Sequence, residues 1–286
     1  MANLKEIRNR ITSVSSTRQI TSAMKMVSAS KLKRAQEAAF ALRPYADKLQ
    51  EILQNVSASL DGDAQSVYSN QREVKKVLII AISSNRGLCG AFNANVGKKI
   101  NAIISERYSD VEVEILTIGK KINEIAVKTY NVVANHSELF DDLTFANTSE
   151  IANWAMENFV SEEYDRIDVV YNKFKNAATQ ILMDEQLLPI VATESDSTTN
   201  IDYIFEPDVE AIITDLMPTS LKVQLHKSVL DSNAAEHGAR MTSMHKATDN
   251  ATDLISELKL TYNKARQASI TNEILEIVGG AEALNG

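Results

Sequence analysis

The residues best placed to do chemistry lie in one short segment, Ser83–Gly90 (SSNRGLCG), between a predicted strand and the helix that follows it. Loops at this position of an α/β domain often bind phosphate groups. The segment has neither a GxxxxGK[ST] nor a GxGxxG pattern, and neither pattern occurs elsewhere in the chain. We therefore favour a structural role, in which Gly87 and Gly90 allow a tight turn and Arg86 makes a fixed contact. Nucleotide binding at this turn is the alternative.

The other reactive residues do not form a recognisable site. The chain has four histidines, and their spacing matches no zinc-binding pattern such as HExxH. Cys89 is the only cysteine, which excludes an internal disulfide, and no GxSxG motif is present. We expect no catalytic residue, no cofactor and no metal site. The histidines are His136, His226, His237 and His245.

The charge distribution suggests a binding partner. The net charge is −8, yet basic residues dominate the start of the chain. A basic segment in an acidic protein is typical of contact with an acidic partner, and a solvated helix face is the alternative. Nucleic acid is disfavoured, because the segment lacks aromatic residues that could stack on bases. The basic residues are Lys5, Arg8, Arg10, Arg18, Lys25, Lys31, Lys33 and Arg34.

The sequence predicts no membrane-spanning helix. Its start has no apolar signal core, and the longest clean apolar run, Val77 to Ile82, is far shorter than the roughly 20 residues that cross a bilayer. Together with the single cysteine, this pattern indicates a reducing, cytosolic compartment. Any contact with a membrane is expected to be peripheral or indirect.

A long N-terminal helix is the first element that must position these groups. No glycine precedes Gly62, so one helix can run from about Leu4 to Leu60, with a kink expected near Pro44. Alternating steps of three and four residues trace a seam along it, which is typical of a helix packed against a partner helix. The seam consists of Leu4, Ile7, Ile11, Val14, Arg18, Thr21, Lys25, Ser28, Leu32, Ala35, Ala39, Leu42, Ala46, Leu49, Leu53, Val56 and Leu60.

Polar residues interrupt this seam at Arg18, Thr21, Lys25 and Ser28. A plain coiled coil would bury leucine at such positions. We therefore expect this polar interval to contact loops of another chain.

The middle of the chain alternates strand and helix patterns over residues 74–190. This order predicts a small α/β domain with a largely parallel sheet and an antiparallel edge. Strands are predicted at residues 74–83, 111–118, 131–134, 165–174 and 179–190, and helices at 89–108, 120–130 and 149–164.

A second long helix is predicted from about Asp208 to Val278, because Gly238 is the only glycine in that stretch and Pro218 is followed by no further proline. A whole domain separates the two long helices in sequence, so we expect them to pair antiparallel. Three domains follow: an N-terminal coiled-coil helix (1–60), a central α/β domain (74–190) and a C-terminal coiled-coil helix (208–286).

Two segments near the end of the second helix are candidates for binding. Residues 270–278 (ITNEILEIV) are apolar on several faces, which suggests an apolar sleeve supplied by other chains; packing into the chain's own core is the alternative. Residues 264–271 (KARQASIT) bring Arg266, Gln267 and Thr271 together. Antiparallel pairing would place them beside Arg18 to Lys25, so that both polar segments would contact outside loops; a solvated face is the alternative.

These segments resemble the gamma subunits of F-type ATP synthases, the family of central shafts in rotary motors. The resemblance covers both ends of the chain and the first strand and turn of the middle domain, whereas residues 100–190 match by pattern more than by motif. It is carried by KEIRNRI, STRQITSAMKMVSASKLKRAQ, RPYA, SSNRGLCGAFN, YIFEP, EHGARMTSMHKATDNATDLISEL and YNKARQASITNEILEIVGGAEAL.

The resemblance implies a fold and a function. The N- and C-terminal helices would form a long antiparallel coiled coil, joined to a Rossmann-like α/β domain. The coil would stand inside a hexamer of alpha and beta subunits and couple ion flow through the membrane sector to ATP synthesis or hydrolysis, without being catalytic itself. It would sit peripherally on the cytoplasmic side of a bacterial cell membrane.

The resemblance also implies roles for particular residues. Contacts to beta subunits are expected at Met24, Lys25, Arg266, Gln267 and Thr271. An apolar bearing is expected at Ile270, Ile274, Ile277 and Val278. Tyr203 and Glu206 are expected in the foot that meets the epsilon subunit and the c-ring. A coiled-coil scaffold or adaptor with a ligand-binding α/β domain, and a nucleotide-binding enzyme that uses the SSNRGLCG turn, are the competing functions.

Some residues depart from the family pattern. Asn85 stands where the family usually has Asp, which puts an acidic contact to Arg86 in doubt. His245 and Lys246 form an unusual basic pair. Cys89 has no partner for a chloroplast-type redox switch, so that form of regulation is expected to be absent.

Overall fold

The computed structural model describes residues 4–58, 67–190 and 209–285. Two long helices lie at the ends of the described chain: α1 spans Leu4–Ala58 and α5 spans Val209–Asn285. The described residues belong to two compact units. One contains those up to Ser28 and from Met241 onward, and the other is Ala29–Arg240.

In the sequence, a five-stranded α/β domain lies between the two long helices. Its helices are α2 (Phe92–Arg107), α3 (Lys120–Ala126) and α4 (Phe145–Val160). Its strands are β1 (Lys76–Ile82), β2 (Glu112–Ile118), β3 (Asn131–Asn135), β4 (Arg166–Phe174) and β5 (Gln180–Leu188). The sheet order is β3-β2-β1-β4-β5. All neighbouring strands are parallel except β5, which pairs antiparallel with β4 at one edge.

The central strand β1 explains how the sheet is covered. Its residues from Val77 to Ile82 are fully buried, as expected for a continuous apolar strand with helices on both faces. Val77 and Ile79 pack on one face against α2 and α3. Leu78 and Ile80 pack on the other face against α4.

The helix α5 completes the second face of the sheet. Leu221, Leu225 and Val229 belong to the same buried cluster as the strand residues and α4. Another face of the same stretch packs against α1, where Val223 forms a buried cluster with Ala46 and Leu49. The sequence predicted only a coil helix here, but α5 is also a core element of the α/β domain.

The predicted fold class is confirmed, with changes at element ends. Helix α4 begins at Phe145 and not at residue 149, because the Thr144 side chain caps it by accepting a hydrogen bond from the Asn147 amide at 3.3 Å. Helix α3 ends at Ala126, before the predicted residue 130. Helix α5 continues beyond the predicted Val278 to Asn285.

Candidate functional site

The helix pair of the first unit has a defined antiparallel register. The Arg8 guanidinium donates to the Tyr262 hydroxyl at 2.9 Å. Further along, the Thr248 hydroxyl donates to the Thr21 hydroxyl at 2.9 Å. From Arg8 to Thr21 on α1, the contacted residues on α5 run backward from Tyr262 to Thr248. The two helices are therefore antiparallel, as expected from the sequence.

The predicted seam is the buried face of α1. In the first unit, Ile7, Thr21 and Ser28 are buried, and the other described seam residues are half-buried. In the second unit, Leu32, Ala35, Ala39, Ala46 and Leu49 are buried and Leu42 is half-buried. A period of 3.5 residues therefore located the packing face correctly.

The polar interval of the seam was predicted to contact loops of another chain, and for two of its residues this is wrong. Thr21 is 8% exposed and Ser28 is 2% exposed. The Thr21 hydroxyl donates to the Arg18 carbonyl at 3.1 Å, and the Ser28 hydroxyl donates to the Met24 carbonyl at 2.7 Å. Their hydroxyls are satisfied inside the helix pair, so these positions need no outside partner.

Lys25 lies at the edge of the same interval and is half-buried, as is Met24. The Lys25 Nζ lies 3.3 Å from Nδ1 of His245 on α5. That nitrogen also lies 3.3 Å from Oδ2 of Asp249, one turn further along α5. Lys25 thus carries a positive charge at the margin of the helix pair, in reach of solvent.

The predicted meeting of the KARQASIT segment with Arg18 to Lys25 is wrong. Since Tyr262 already lies beside Arg8, residues 264–271 lie next to or beyond the start of α1. Arg18 to Lys25 instead face the stretch of α5 around His245 and Thr248. The register separates the two polar segments along the coil. Arg266, Gln267 and Thr271 are exposed.

The apolar tip of α5 is not packed into the chain's own core. Large apolar side chains are exposed on several sides of the helix over residues 270–278. The exposed fractions are 44% for Ile270, 55% for Ile274, 63% for Leu275, 71% for Ile277 and 54% for Val278. An apolar surface of this kind is typical of interaction sites.

Sequence reasoning missed a second exposed apolar group, on α1. Ile20 and Val27 are 60% and 57% exposed, and Met26 beside them is 66% exposed. Ile20 and Val27 are seven residues apart and lie off the seam, so they share one outer face of the helix. That spacing was the available signal. This face lies close to Met24, so the candidate contact surface of α1 is wider than Met24 and Lys25.

The segment Ser83–Gly90 has a structural role in this fold. Leu88 and Gly90 both have positive φ angles, of 65° and 63°. Gly90 tolerates this conformation without strain. Gly87, which was also expected to allow the turn, does not adopt it. Cys89 is 2% exposed, and burial raises the pKa of its thiol. A buried, protonated thiol is unreactive.

Asn85, which departs from the family pattern, bridges two neighbouring segments. Its side-chain Oδ1 accepts from the Lys120 amide at 2.9 Å, and its Nδ2 donates to the Ser137 carbonyl at 2.7 Å. An ionised aspartate could accept the first bond but could not donate the second. The amide therefore suits this position.

The same turn is bound to α5 by Arg240. Its guanidinium donates to the backbone carbonyls of Gly87 and Arg86, so the fixed contact expected of Arg86 is made by its carbonyl. Arg240 also forms a 2.7 Å ion pair with Glu236 on the same helix. Burial raises the pKa of Glu236, and the guanidinium opposes that rise.

The described ranges contain neither a candidate metal site nor a candidate membrane-spanning helix. No group of three or more His, Cys, Asp or Glu side chains there could hold a metal ion. None of the helices in those ranges is both long and apolar enough to cross a bilayer. Tyr203, Glu206 and Leu60 lie outside the described residues.

Known proteins are similar to this chain along its whole length. A family model described as ATP synthase matches residues 3–284. The ATP synthase gamma chain of Flavobacterium psychrophilum is 63% identical over 287 residues, covering 100% of both chains. Those of Flavobacterium johnsoniae and Christiangramia forsetii are 62% and 60% identical, again with full coverage of both.

Solved structures share the fold at lower identity. The rotor of the Euglena gracilis mitochondrial ATP synthase matches with a TM-score of 0.64 at 21% identity, over 93% of this chain and 98% of that chain. The central stalk and c-ring structure of the Tetrahymena thermophila mitochondrial enzyme contains a chain that matches with a TM-score of 0.59, also at 21% identity, over 80% of this chain and 99% of that chain.

Proposed function

This chain belongs to the ATP synthase gamma chain family, and on that premise we propose that it is the non-catalytic central shaft of a rotary, proton-translocating ATP synthase. It turns inside a hexamer of alpha and beta subunits and couples ion flow through the membrane sector to ATP synthesis or hydrolysis. Membership of this family replaces the alternative of an unrelated coiled-coil scaffold or adaptor.

One observation carries the proposal: the antiparallel helix pair ends in an apolar tip that the chain itself leaves exposed, with Ile277 at 71%. Exposing such a surface to water is unfavourable, so a surrounding partner must cover it. A ring of subunits around the tip provides that cover on every side. Apolar contacts are non-directional, which lets the tip turn without breaking strong hydrogen bonds.

Coupling follows from the asymmetry of the helix pair. Its faces differ: α1 carries Lys25 at the edge of the seam and the exposed apolar residues Ile20 and Val27 on an outer face, whereas α5 presents Arg266. As the pair turns, each beta subunit meets a different face. Contacts that differ between the open and closed states of that subunit shift its population among them, which is how rotation changes nucleotide affinity.

Five residues are proposed to contact the beta subunits: Met24, Lys25, Arg266, Gln267 and Thr271. The basic charges of Lys25 and Arg266 suit an acidic loop on the partner. Since the register holds these two positions at different heights of the coil, they contact different loops or different subunits.

The bearing and the foot complete the proposal. Ile270, Ile274, Ile277 and Val278 form the bearing, and Tyr203 and Glu206 contact the epsilon subunit or the c-ring. The protein is then a peripheral component on the cytoplasmic side of the bacterial cell membrane. The chain holds no nucleotide, cofactor or metal of its own in this role.

Reconstitution tests the proposal directly. The chain is combined with the alpha and beta subunits of its own organism, and a bead is attached to its α/β domain. ATP should drive stepwise rotation of the bead in one direction. ATP hydrolysis by the complex without rotation, or micromolar ATP binding and turnover by the isolated chain, would contradict the proposal.

A further inference from the structure

Arg43 joins three elements of the second unit through one guanidinium group. It belongs to the RPYA segment of α1, to which no function has yet been attached. Its Nη2 donates to the Phe174 carbonyl at the end of β4 at 3.0 Å. The same nitrogen donates to Oδ1 of Asp231 on α5 at 2.7 Å.

The Arg43–Asp231 pair is largely withdrawn from water. The Asp231 side chain is 1% exposed and that of Arg43 is 27% exposed. Oδ2 of Asp231 and Nε of Arg43 are buried without a hydrogen-bond partner among the described residues. A buried ion pair adds little stability over apolar side chains of similar shape. Its contribution here is a bond of fixed direction between the helix pair and the end of β4.

The neighbouring turn between β4 and β5 fits tightly against α5. A methyl group added at Gly238 would lie 3.2 Å from the Cα of Ala177 and 3.5 Å from the Phe174 ring. The Phe174 ring also packs against the Phe40 ring on α1, with 6.3 Å between the ring centroids. The end of β4 and the turn after it are thus held from both long helices.

We propose that Arg43 is a positioning residue that locks the end of β4 to the helix pair, so that the α/β domain and this part of the coil turn as one body. The inference rests on the proposed rotary function. Torque about the coil acts as a shear between the coil and the domain. The apolar packing of Leu221, Leu225 and Val229 against the sheet is non-directional and resists shear weakly. Directional bonds from Arg43 resist it.

The test measures the torsional stiffness of the rotor in the assembled alpha–beta–gamma complex. A bead is attached through Lys128→Cys, an exposed position of the α/β domain, since Cys89 is too buried to react. The quantity measured is the angular variance of the bead during catalytic pauses. Rotation of the wild-type bead first establishes the shaft function independently of Arg43.

Two variants distinguish the loss of the Arg43 bonds from a loss of the fold. Arg43→Met with Asp231→Leu removes both charges and keeps an apolar contact, so the fold should persist. Arg43→Lys keeps the charge beside Asp231, but the shorter side chain cannot match both bonds. In each variant we expect the angular variance to rise about twofold, as when one of two comparable restraints is removed, the other being Arg240. The unfolding temperature should stay near that of the wild type.

The matched control is the pair Lys227–Asp47, which joins α5 to α1 at 3.0 Å without reaching the α/β domain. Lys227→Met with Asp47→Leu should leave the angular variance unchanged. Suppose that the wild-type bead rotates but that Arg43→Lys and the double variant both keep the angular variance of the wild type. The proposed role of Arg43 is then refuted, and the shaft function stands. An equal rise in the control pair would also refute that role.

Discussion

Nδ1 of His245 lies 3.3 Å from Nζ of Lys25 on the opposite helix and 3.3 Å from Oδ2 of Asp249 on its own helix. This nitrogen cannot accept a hydrogen bond from Lys25 and donate one to Asp249 at the same time. Unprotonated, it accepts a hydrogen bond from Lys25; protonated, it donates to Asp249. Lys25 is therefore oriented by α5 in addition to its own helix.

Charge reversal at Lys25 should impair coupling more than folding. Lys25 forms a hydrogen bond to His245 at the edge of the helix pair, and a bond of this kind contributes about 0.5–1.5 kcal/mol to stability. Lys25→Glu should therefore lower the unfolding temperature only slightly. The reversed charge would repel the acidic loop proposed to face it, which should lower ATP-driven proton pumping in membrane vesicles. Lys246→Glu, an exposed neighbour of His245, is the control. Equal pumping by wild type and Lys25→Glu would argue against this contact.

An acidic substitution in the apolar tip should separate folding from assembly. Ile277 is exposed in the chain itself, so Ile277→Asp should change the free energy of unfolding by less than about 0.5 kcal/mol. In the complex the carboxylate would be buried among apolar groups, at a cost of several kcal/mol. Co-purification with alpha and beta subunits should fall sharply.

Asn272→Asp is the control for the tip, because it adds the same charge nearby without removing an apolar side chain. It should assemble better than Ile277→Asp. Normal assembly and rotation of Ile277→Asp would leave no support for the bearing.

The paired hydroxyls of Thr21 and Thr248 should be coupled energetically. Thr21→Val removes a buried acceptor and should cost about 1 kcal/mol of unfolding free energy. In a chain that already carries Thr21→Val, Thr248→Val should lower the unfolding free energy by less than it does in the wild type. Denaturant unfolding of the single and double variants measures this difference. Additive losses would mean that the two hydroxyls do not interact.

Stability should fall as the pH drops below about 6.5, because of the half-buried His237. Burial, with Lys31 and Arg240 nearby, lowers the pKa of His237 to about 4. Between about pH 6.5 and 4 the unfolded chain therefore binds a proton that the folded chain does not, which reduces the unfolding free energy by at most about 1.4 kcal/mol per pH unit. The variant His237→Gln should show a flatter pH dependence.

Burial also lowers the pKa of His226, whose Nδ1 lies 3.1 Å from the Thr148 hydroxyl. Its contribution has the same sign, so the double variant His226→Gln with His237→Gln should be flatter still. Chemical denaturation from pH 7 to pH 4 provides the measurement. A slope unchanged by either replacement would contradict the assigned direction.

Local pattern determined much of this protein. The seam of α1 was readable because helix periodicity is set by the backbone and repeats with every turn, so Leu32, Ala35 and Ala39 could be assigned to the buried face before any contact was known. The apolar run from Val77 to Ile82 likewise fell within a predicted strand, where the structure has β1. The missing phosphate-binding motif at residues 83–90 favoured a structural turn, and the positive φ angles of Leu88 and Gly90 show a tight turn there.

Only the tertiary structure decided the register of the long helices, the packing of Thr21 and Ser28 inside the pair, and the clamps made by Arg43 and Arg240. Each depends on residues far apart in the chain: Arg43 and Asp231 are 188 positions apart. Their meeting depends on how α1 and the α/β domain each pack against α5, and no local period encodes that distance. This is why KARQASIT could be recognised in the sequence but not placed along the coil.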